Sequence, residues 1–367
     1  MSDVAIVQVG MCTPIGLDAR QTGFLLRAGF PALGESPLAD ASGEAITMAY
    51  LPTVDSEIVG PERLVTLATR AFEEVARPIA PYRPSEHPTA GVQPAAARSP
   101  SEPPHAGKAL RGGVAVTIVL DEGLADAPLA RVLFETMVDR VLPGASVMVE
   151  PRGEGALGAL LPDVIKALDS GLLEAAIVGG VHSDYDPGAI AALESSGRLF
   201  SRDNLDARIP GEAAAFVLLM RGGPAARAGL APLARILGIG KGRESARPDN
   251  DEPAYRALGM TAAVRQATEP LAKTERTAGW MLVDLTGEMW RIHEWEAVFV
   301  RTQKVLGRPY YIEAPAQRIG YLGAAAMPLF MGLAATAWQH GYGPSPTALC
   351  TAAADGGERA ALVLGKA

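Results

Sequence analysis

Short apolar runs alternate with longer segments of helical periodicity along most of the chain. Runs closed by glycine, proline or aspartate are typical of buried strands, because those residues end regular structure. They predict strands at 4–9, 113–120, 146–149, 173–179, 213–220, 234–240, 281–285, 310–313, 347–352 and 360–364. Apolar residues three and four positions apart predict helices at 20–28, 61–76, 125–141, 155–169, 253–268, 288–305 and 319–338. This alternation indicates βαβ units and largely parallel sheets covered on both faces.

The alternation occurs twice, which predicts two similar α/β halves that share one core. We expect an N-terminal half made of residues 1–77 and 108–225, and a C-terminal half made of residues 226–367. Residues 78–107 interrupt the first half with a proline-rich composition and few large apolar side chains. Such a segment cannot bury enough surface to offset its ordering entropy, so we expect a flexible insertion that is dispensable for folding.

One segment is long and apolar enough to be mistaken for a membrane span. Residues 319–338 carry no charge over twenty positions, which reaches the length that crosses a bilayer. The segment is rich in glycine and alanine and has Pro328 in its middle. We therefore interpret it as a buried helix, and we expect no membrane association.

The charge and cysteine content exclude several classes of protein. Among 367 residues, 33 lysines and arginines face 41 aspartates and glutamates, a net charge of −8 without a basic run. This argues against non-specific binding of nucleic acid and of anionic membranes. Two cysteines cannot form a disulfide framework or a cysteine-rich zinc site. The first residues lack the basic and apolar regions of a signal peptide, so we expect a cytoplasmic protein.

The order of several motifs resembles that of the β-ketoacyl synthase branch of the thiolase fold. The matches are a Thr-Pro-Ile-Gly loop within 9–16, a Gly-Gly strand end within 177–181, a loop at 195–204, a Gly-Glu-Ala-Ala strand entry within 209–218 and a Leu-Gly-Ala-Ala helix start at 322–326. The resemblance implies a five-layered αβαβα fold made of two duplicated halves. It also implies a homodimer, or a heterodimer with a thiolase-fold relative, formed by pairing a central strand.

The resemblance places the catalytic positions of this family on residues that cannot perform its chemistry. Claisen condensation needs a cysteine thiolate at a helix N-terminus and two histidines that stabilise negative charge. The matching positions hold Gly153, Thr286 and Gly320, and residues 354–357 replace the family's gating loop. We therefore predict that these three are former catalytic positions, and we assign no catalytic, cofactor-binding or metal-binding residue and no cofactor.

His182 and the two cysteines each have both a functional and a structural interpretation. His182 follows the Gly-Gly pair, near where a pocket is expected, and is interpreted as a hydrogen-bonded loop histidine. Cys12 and Cys350 are interpreted as packed small hydrophobic residues rather than nucleophiles. No P-loop follows the glycines at 238–242.

A second group invites a metal or acid–base interpretation. His293 and Glu294, with Glu296 nearby, match no zinc spacing. Glu288, Arg291, His293 and Glu294 are interpreted as a polar helix face that Trp290 and Trp295 interrupt.

Motifs that keep the family's order but lack its catalytic residues favour a protein that acts by binding another protein. By resemblance, the partner is either a secreted cargo, as in adaptors or chaperones of type VI secretion effectors, or an active ketosynthase whose subunit this chain would be. The alternative is an acyltransferase or thioesterase that uses unconventional groups such as Glu154, Asp284 or Glu288. Because Gly153 and Gly320 lack side chains, we also expect an inward movement of Tyr321, Phe330, Met289 or Trp290.

Overall fold

The computed structural model describes residues 2–81, 110, 112–124, 126–246 and 255–367. The proline-rich insertion predicted at 78–107 lies outside the described residues beyond residue 81. Within the described part of the chain the strands are β1 Val4–Cys12, β2 Gly34–Ala39, β3 Ala45–Met48, β4 Gly113–Leu120, β5 Ser146–Pro151, β6 Leu173–Ser183, β7 Glu212–Arg221, β8 Ala234–Arg243, β9 Ala278–Val283, β10 Leu306–Glu313, β11 Thr347–Ala353 and β12 Glu358–Lys366.

The helices lie between these strands, largely where the sequence predicts them. They are α1 Ala19–Arg27, α2 Gly60–Ala76, α3 Ala127–Val141, α4 Leu157–Asp169, α5 Pro187–Ser195, α6 Gly222–Ala228, α7 Leu258–Ala272, α8 Met289–Thr302, α9 Ala316–Ile319 and α10 Ala326–Gln339. Short 3₁₀ turns at Gln303–Val305 and Gly323–Ala325 follow α8 and precede α10. The β2–β3 hairpin was not predicted.

The sheet consists of two halves with the same strand order. The ten-stranded order is β10-β9-β11-β12-β8-β1-β7-β6-β4-β5. β2 and β3 form a separate two-stranded sheet, so the large sheet takes β1 and β4–β7 from the first half and β8–β12 from the second. Numbered in chain order within its own half, each set of five strands follows the order third, second, fourth, fifth and first from the sheet edge inward. The halves meet at β1 and β8, which pair only at Ala5 with Arg235 and at Ile6 with Ala234. This repetition confirms a duplicated α/β architecture.

The prediction of largely parallel sheets is wrong, because the sheet is mixed. β4 and β9 run parallel to both of their neighbours. β7 and β12 run antiparallel to theirs. Only residues 354–357 separate β11 from β12, and so short a link joins antiparallel strands, whereas parallel strands need a crossover of about a dozen residues.

Helices cover both faces of each half, and two of them lie between the halves. α4 and α10 each contact strands of both halves, and their apolar side chains share one core with the inward-facing strand residues. α2 and α3 cover the outer face of the N-terminal half, and α7 and α8 cover that of the C-terminal half. The layers therefore follow the order αβαβα, as predicted.

The apolar segment predicted as one helix over 319–338 is a buried helix that begins later than expected. Gly320 and Gly323 adopt positive φ angles of 71° and 45°, which interrupt regular helix, and α10 starts only at Ala326. Every residue from Ala326 to Trp338 is buried. In the described part of the chain, no helix is both long and apolar enough to cross a membrane.

Candidate functional site

The three predicted catalytic positions lie in loops whose neighbouring side chains meet in the interior. Gly153 follows β5 with φ 72°, and its amide donates to the carbonyl of Leu120 at 2.9 Å. Thr286 follows β9, and Gly320 precedes α10 with φ 71°. Each position lies one or two residues before a side chain that contacts Arg291, and these side chains are Glu154, Glu288 and Tyr321.

Arg291 is the centre of a buried cluster of charges. Its side chain is 1% exposed. Nη1 donates to Asp284 and, at 2.8 Å, to the carbonyl of Ala353, while Nε donates to Glu288 at 3.2 Å. Nη2 lies 3.4 Å from Glu154 Oε1 and from Asp355 Oδ1. One guanidinium therefore faces four carboxyl groups, so the excess negative charge must be stabilised by other groups or by protonation.

Two further arginines and one tyrosine complete this cluster. Arg198 forms a fork with Asp355, at 2.6 and 3.0 Å, and its Nε donates to Glu288 at 2.6 Å. The guanidinium of Arg208 lies 3.8 Å from the centre of the Tyr321 ring. The Tyr321 hydroxyl donates to Glu154 Oε1. The cluster thus links loops of both halves of the sheet.

The polar face predicted on α8 is buried at its central residues. Arg291 and Glu294 are 2% and 3% exposed. Glu294 accepts hydrogen bonds from Arg359 Nε at 2.8 and 3.1 Å, which compensates its burial. Helical periodicity assigns charged positions to solvent, and it cannot show partners that come from distant loops.

The acidic side chains of the cluster differ in the direction in which their surroundings shift the pKa. Burial raises the pKa of Glu154 to about 7, although Arg291 acts in the opposite direction. Burial likewise raises the pKa of Asp284. Burial also acts on Glu288, yet Arg291 and Arg198 hold its pKa below the ordinary value. Glu154 is therefore a member of the cluster that can change charge near neutrality.

His182 lies between two carboxylates beside the cluster, and its predicted proximity to a pocket is confirmed. Its Nδ1 is 2.6 Å from Asp121 Oδ2, and its Nε2 is 3.1 Å from Asp184 Oδ2. Burial alone would lower its pKa, but Asp121 and Asp184 raise it to about 10. The imidazole is therefore a fixed cation at neutral pH, and it cannot serve as a general base.

A cleft of about 510 Å³ opens beside these groups. Tyr321 and Glu154 lie in its wall, together with Arg208 and His182. The other acidic residues of the wall are Asp121, Glu122, Asp126, Asp184, Asp186 and Asp355. Seven carboxyl groups against two cations make the cleft strongly acidic, so an anionic ligand would be repelled from it. The described residues contain no group of histidine, cysteine and acidic side chains that could hold a metal ion.

Neither cysteine lies in the wall of this cleft. Cys12 and Cys350 are both buried, as predicted, and burial raises the pKa of the Cys12 thiol to about 12. Burial also raises the pKa of Cys350. Both thiols are therefore protonated and shielded, which is the opposite of what a nucleophile requires.

The four side chains that we expect to move inward are not all buried in the structure. Tyr321 is 4% exposed and lies against His182 in an edge-to-face contact, with ring centres 4.9 Å apart. Phe330 is buried within α10, away from the cleft wall. The expectation for Met289 is wrong, because this residue is 40% exposed at the start of α8. Trp290 packs against Arg291, whose guanidinium lies 4.5 Å from the ring centre.

Comparisons with known proteins identify the fold. No family model matches the sequence, and no curated protein matches it either. Among solved structures, the ketosynthase from module 6 of the bacillaene synthase from Bacillus subtilis 168 superposes with a TM-score of 0.73 at 15% identity, over 99% of this chain and 72% of that chain. The ishigamide ketosynthase/chain length factor gives a TM-score of 0.74 at 18% identity, over 99% of both chains.

A third structure places the same fold in an assembly. It is AntDE:AntF, a type II polyketide synthase acyl-carrier protein in complex with its ketosynthase bound to the hexaketide. Its TM-score is 0.73 at 15% identity, over 99% of both chains. The chain therefore has the thiolase-like fold of ketosynthases, as the motif order predicts.

Proposed function

We propose that this chain is a non-catalytic ketosynthase-like protein that acts by binding another protein. The observation that carries the proposal is the burial of both of its cysteines, together with glycine at position 153 where the motif order predicts the nucleophile. The cluster around Arg291 supports it as well, because Glu154 and Glu288 hold two of the predicted loops by ion pairs, and Tyr321 holds the third by a hydrogen bond. Side chains fixed in this way cannot rearrange around a thioester without breaking buried ion pairs.

Incubation with an acyl thioester tests this proposal. The protein is mixed with acyl-coenzyme A or an acyl-carrier protein and measured by intact mass spectrometry. We expect no adduct under native conditions, and two alkylated thiols per chain when iodoacetamide is added in denaturant as a control for thiol integrity. A stoichiometric adduct mapped to Cys12 or Cys350 would overturn the non-catalytic function.

Within this function, we infer a partner of related fold. The ishigamide protein, described as a ketosynthase/chain length factor, matches this chain over the full length of both. Among the described residues β5 is the last strand at its edge of the sheet, and its Met148 is 37% exposed, so a second thiolase-fold chain can add a strand there. The adaptor for a secreted type VI cargo stays a prediction that no contact in the structure favours.

Light scattering tests the partner. Twice the mass of one chain supports pairing between copies, and a monomer that shifts to a larger mass only with a co-expressed ketosynthase supports a heterodimer. A monomer under both conditions would contradict a partner of related fold.

A second candidate function rests on Glu154. This carboxyl group lies in the cleft wall with a pKa of about 7, so it can take up and release a proton at neutral pH. A thioesterase that activates water through Glu154 would hydrolyse acyl thioesters, and Glu154→Gln would abolish the activity while Tyr321→Phe would lower it. We expect no turnover above the buffer rate. Turnover that Glu154→Gln removes would replace the non-catalytic function by this one.

A further inference from the structure

The open edge of β10 differs from the rest of the surface in both shape and charge. β10 pairs only with β9 among the described residues, so its other edge carries unpaired backbone groups. They are most regular at 311–313, because Pro309 has no N–H and the register with β9 is irregular between Leu306 and Tyr311. All six residues from 308 to 313 are exposed, including the adjacent Tyr310, Tyr311 and Ile312. Large apolar side chains on an unpaired edge are what proteins usually avoid, because they invite strand addition.

A groove lies between α7 and the end of α8, beside the residues that precede this strand along the chain. It has a volume of about 360 Å³, and its wall includes Val300 and Val305. Val300 is 66% exposed, and its neighbour Phe299 packs edge-to-face on Tyr310 with ring centres 5.2 Å apart. Val305 directly precedes β10, and the buried Leu306 and Gly307 separate the groove wall from the exposed strand residues, so groove and strand edge are two neighbouring patches of one surface. We refer to this surface as the β10 surface.

Cations surround the β10 surface, although the chain as a whole is acidic. Arg265, Arg301 and Lys304 lie in the wall of the groove, and Arg308 lies on the strand. The acidic residue of the groove wall, Glu269, is already paired with Lys273 at 2.9 Å. Glu313 closes the far end of the strand. Among the described residues, Arg265, Lys304 and Arg308 form no ion pair, so these charges are available to a partner.

We infer that the β10 surface binds an extended, acidic segment of a partner protein by strand addition. Backbone hydrogen bonds to β10 supply affinity, apolar side chains pack on Tyr310 and Ile312, and carboxylates of the segment meet Lys304 and Arg308. The charge favours this edge over the opposite one, because β5 carries Glu150 and neither lysine nor arginine, so it does not attract an acidic segment. The inference rests on the proposed protein-binding function and names the chemistry of one partner.

A fluorescein-labelled peptide of alternating glutamate and valine, followed by fluorescence anisotropy with the full chain, tests the inference. We expect saturable binding that weakens about tenfold or more in Lys304→Glu/Arg308→Glu, since two charge contacts become repulsive. The matched control is Arg131→Glu/Arg140→Glu on α3, which we expect to bind as the unmodified chain does. A lysine–valine peptide, and a glutamate–valine peptide N-methylated at alternate amides, should not bind.

Several results would overturn the inference. These are no binding at about millimolar protein, equal binding of the lysine–valine or N-methylated peptide, and unchanged affinity in Lys304→Glu/Arg308→Glu. If the chain is a dimer that Ile312→Lys converts to a monomer, and if the peptide does not bind, then a second copy of the chain occupies the edge instead. The outcome is independent of acylation: a chain that forms an acyl adduct and still binds the peptide loses the proposed function but keeps this surface.

Discussion

Two buried arginines in this molecule have opposite surroundings. Arg63 forms a closed fork with Glu212, at 2.7 and 2.9 Å, and its Nη1 reaches the carbonyls of Asp55 and Ile58. Both charged side chains are fully buried. Arg291 instead faces four carboxyl groups beside an open cleft.

The difference separates two uses of a buried charge. The charges of Arg63 and Glu212 balance one another. Glu212 also accepts a hydrogen bond from the Ser183 hydroxyl at 2.8 Å, so this pair connects separate segments inside the N-terminal half. The cluster around Arg291 has more acid than base, and it can change its charge by taking up protons. Such a cluster can respond to pH and to a ligand in the cleft, whereas the charges of the Arg63 pair are balanced and lie outside the cleft wall.

The largest expected effect is that of Arg291→Met. This change leaves Glu154, Asp284 and Glu288 buried without their common cation, so we expect a loss above the roughly 3–5 kcal/mol typical of breaking one buried pair. Urea unfolding at pH 8 and pH 5 measures it. The loss should be smaller at pH 5, because the stranded carboxyl groups take up more than one proton. An equal loss at both values would show that the cluster does not titrate.

Arg63→Met comes next, with an expected loss of about 3–5 kcal/mol at pH 8. Only Glu212 is stranded, so the pH dependence of the free energy of unfolding should correspond to the uptake of about one proton. The double change Arg63→Met/Glu212→Leu is the control and should recover part of the loss. A proton uptake as large as that of the Arg291 variant would remove the distinction between the two arginines.

The smallest expected effect is that of Glu154→Gln. Its pKa in the folded state is raised to about 7 from the ordinary 4.5, so the unfolded state binds fewer protons between these values, and stability falls as pH rises through this window. The glutamine variant lacks that fall, so we expect it to match or exceed the unmodified chain by about 1–3 kcal/mol at pH 8. A variant that loses as much stability between pH 5 and pH 8 as the unmodified chain does would contradict this sign.

The sequence predicts the strands and helices of the core well, because periodicity reports burial directly. The apolar face of α2 is an example: Leu64, Leu67, Ala68 and Phe72 are all buried, as their spacing predicts. The β2–β3 hairpin was missed because most of its residues are exposed and show no regular alternation.

The site was predicted less completely. Motif order points to the loops at Gly153, Thr286 and Gly320, whose former catalytic role stays a prediction, and it does not point to the Arg291 cluster that their neighbours form. Arg291 and Glu154 are 137 positions apart, and no local pattern can pair them. One clue was present: Trp290 and Trp295 flank the charges of α8, and two tryptophans on a solvent-facing surface would be unusual.

The position of α4 and α10 has a consequence for how the chain acquires its structure. Each helix covers the inner faces of both halves at once, and α10 comes from the second half of the sequence while it packs on β1, β6 and β7 of the first. An isolated N-terminal half would therefore emerge from the ribosome with a sheet face that α4 covers only in part. Although the halves repeat one architecture, we expect that they are not separate folding units, and that a gene cut between them would encode two fragments that need each other to stay in solution.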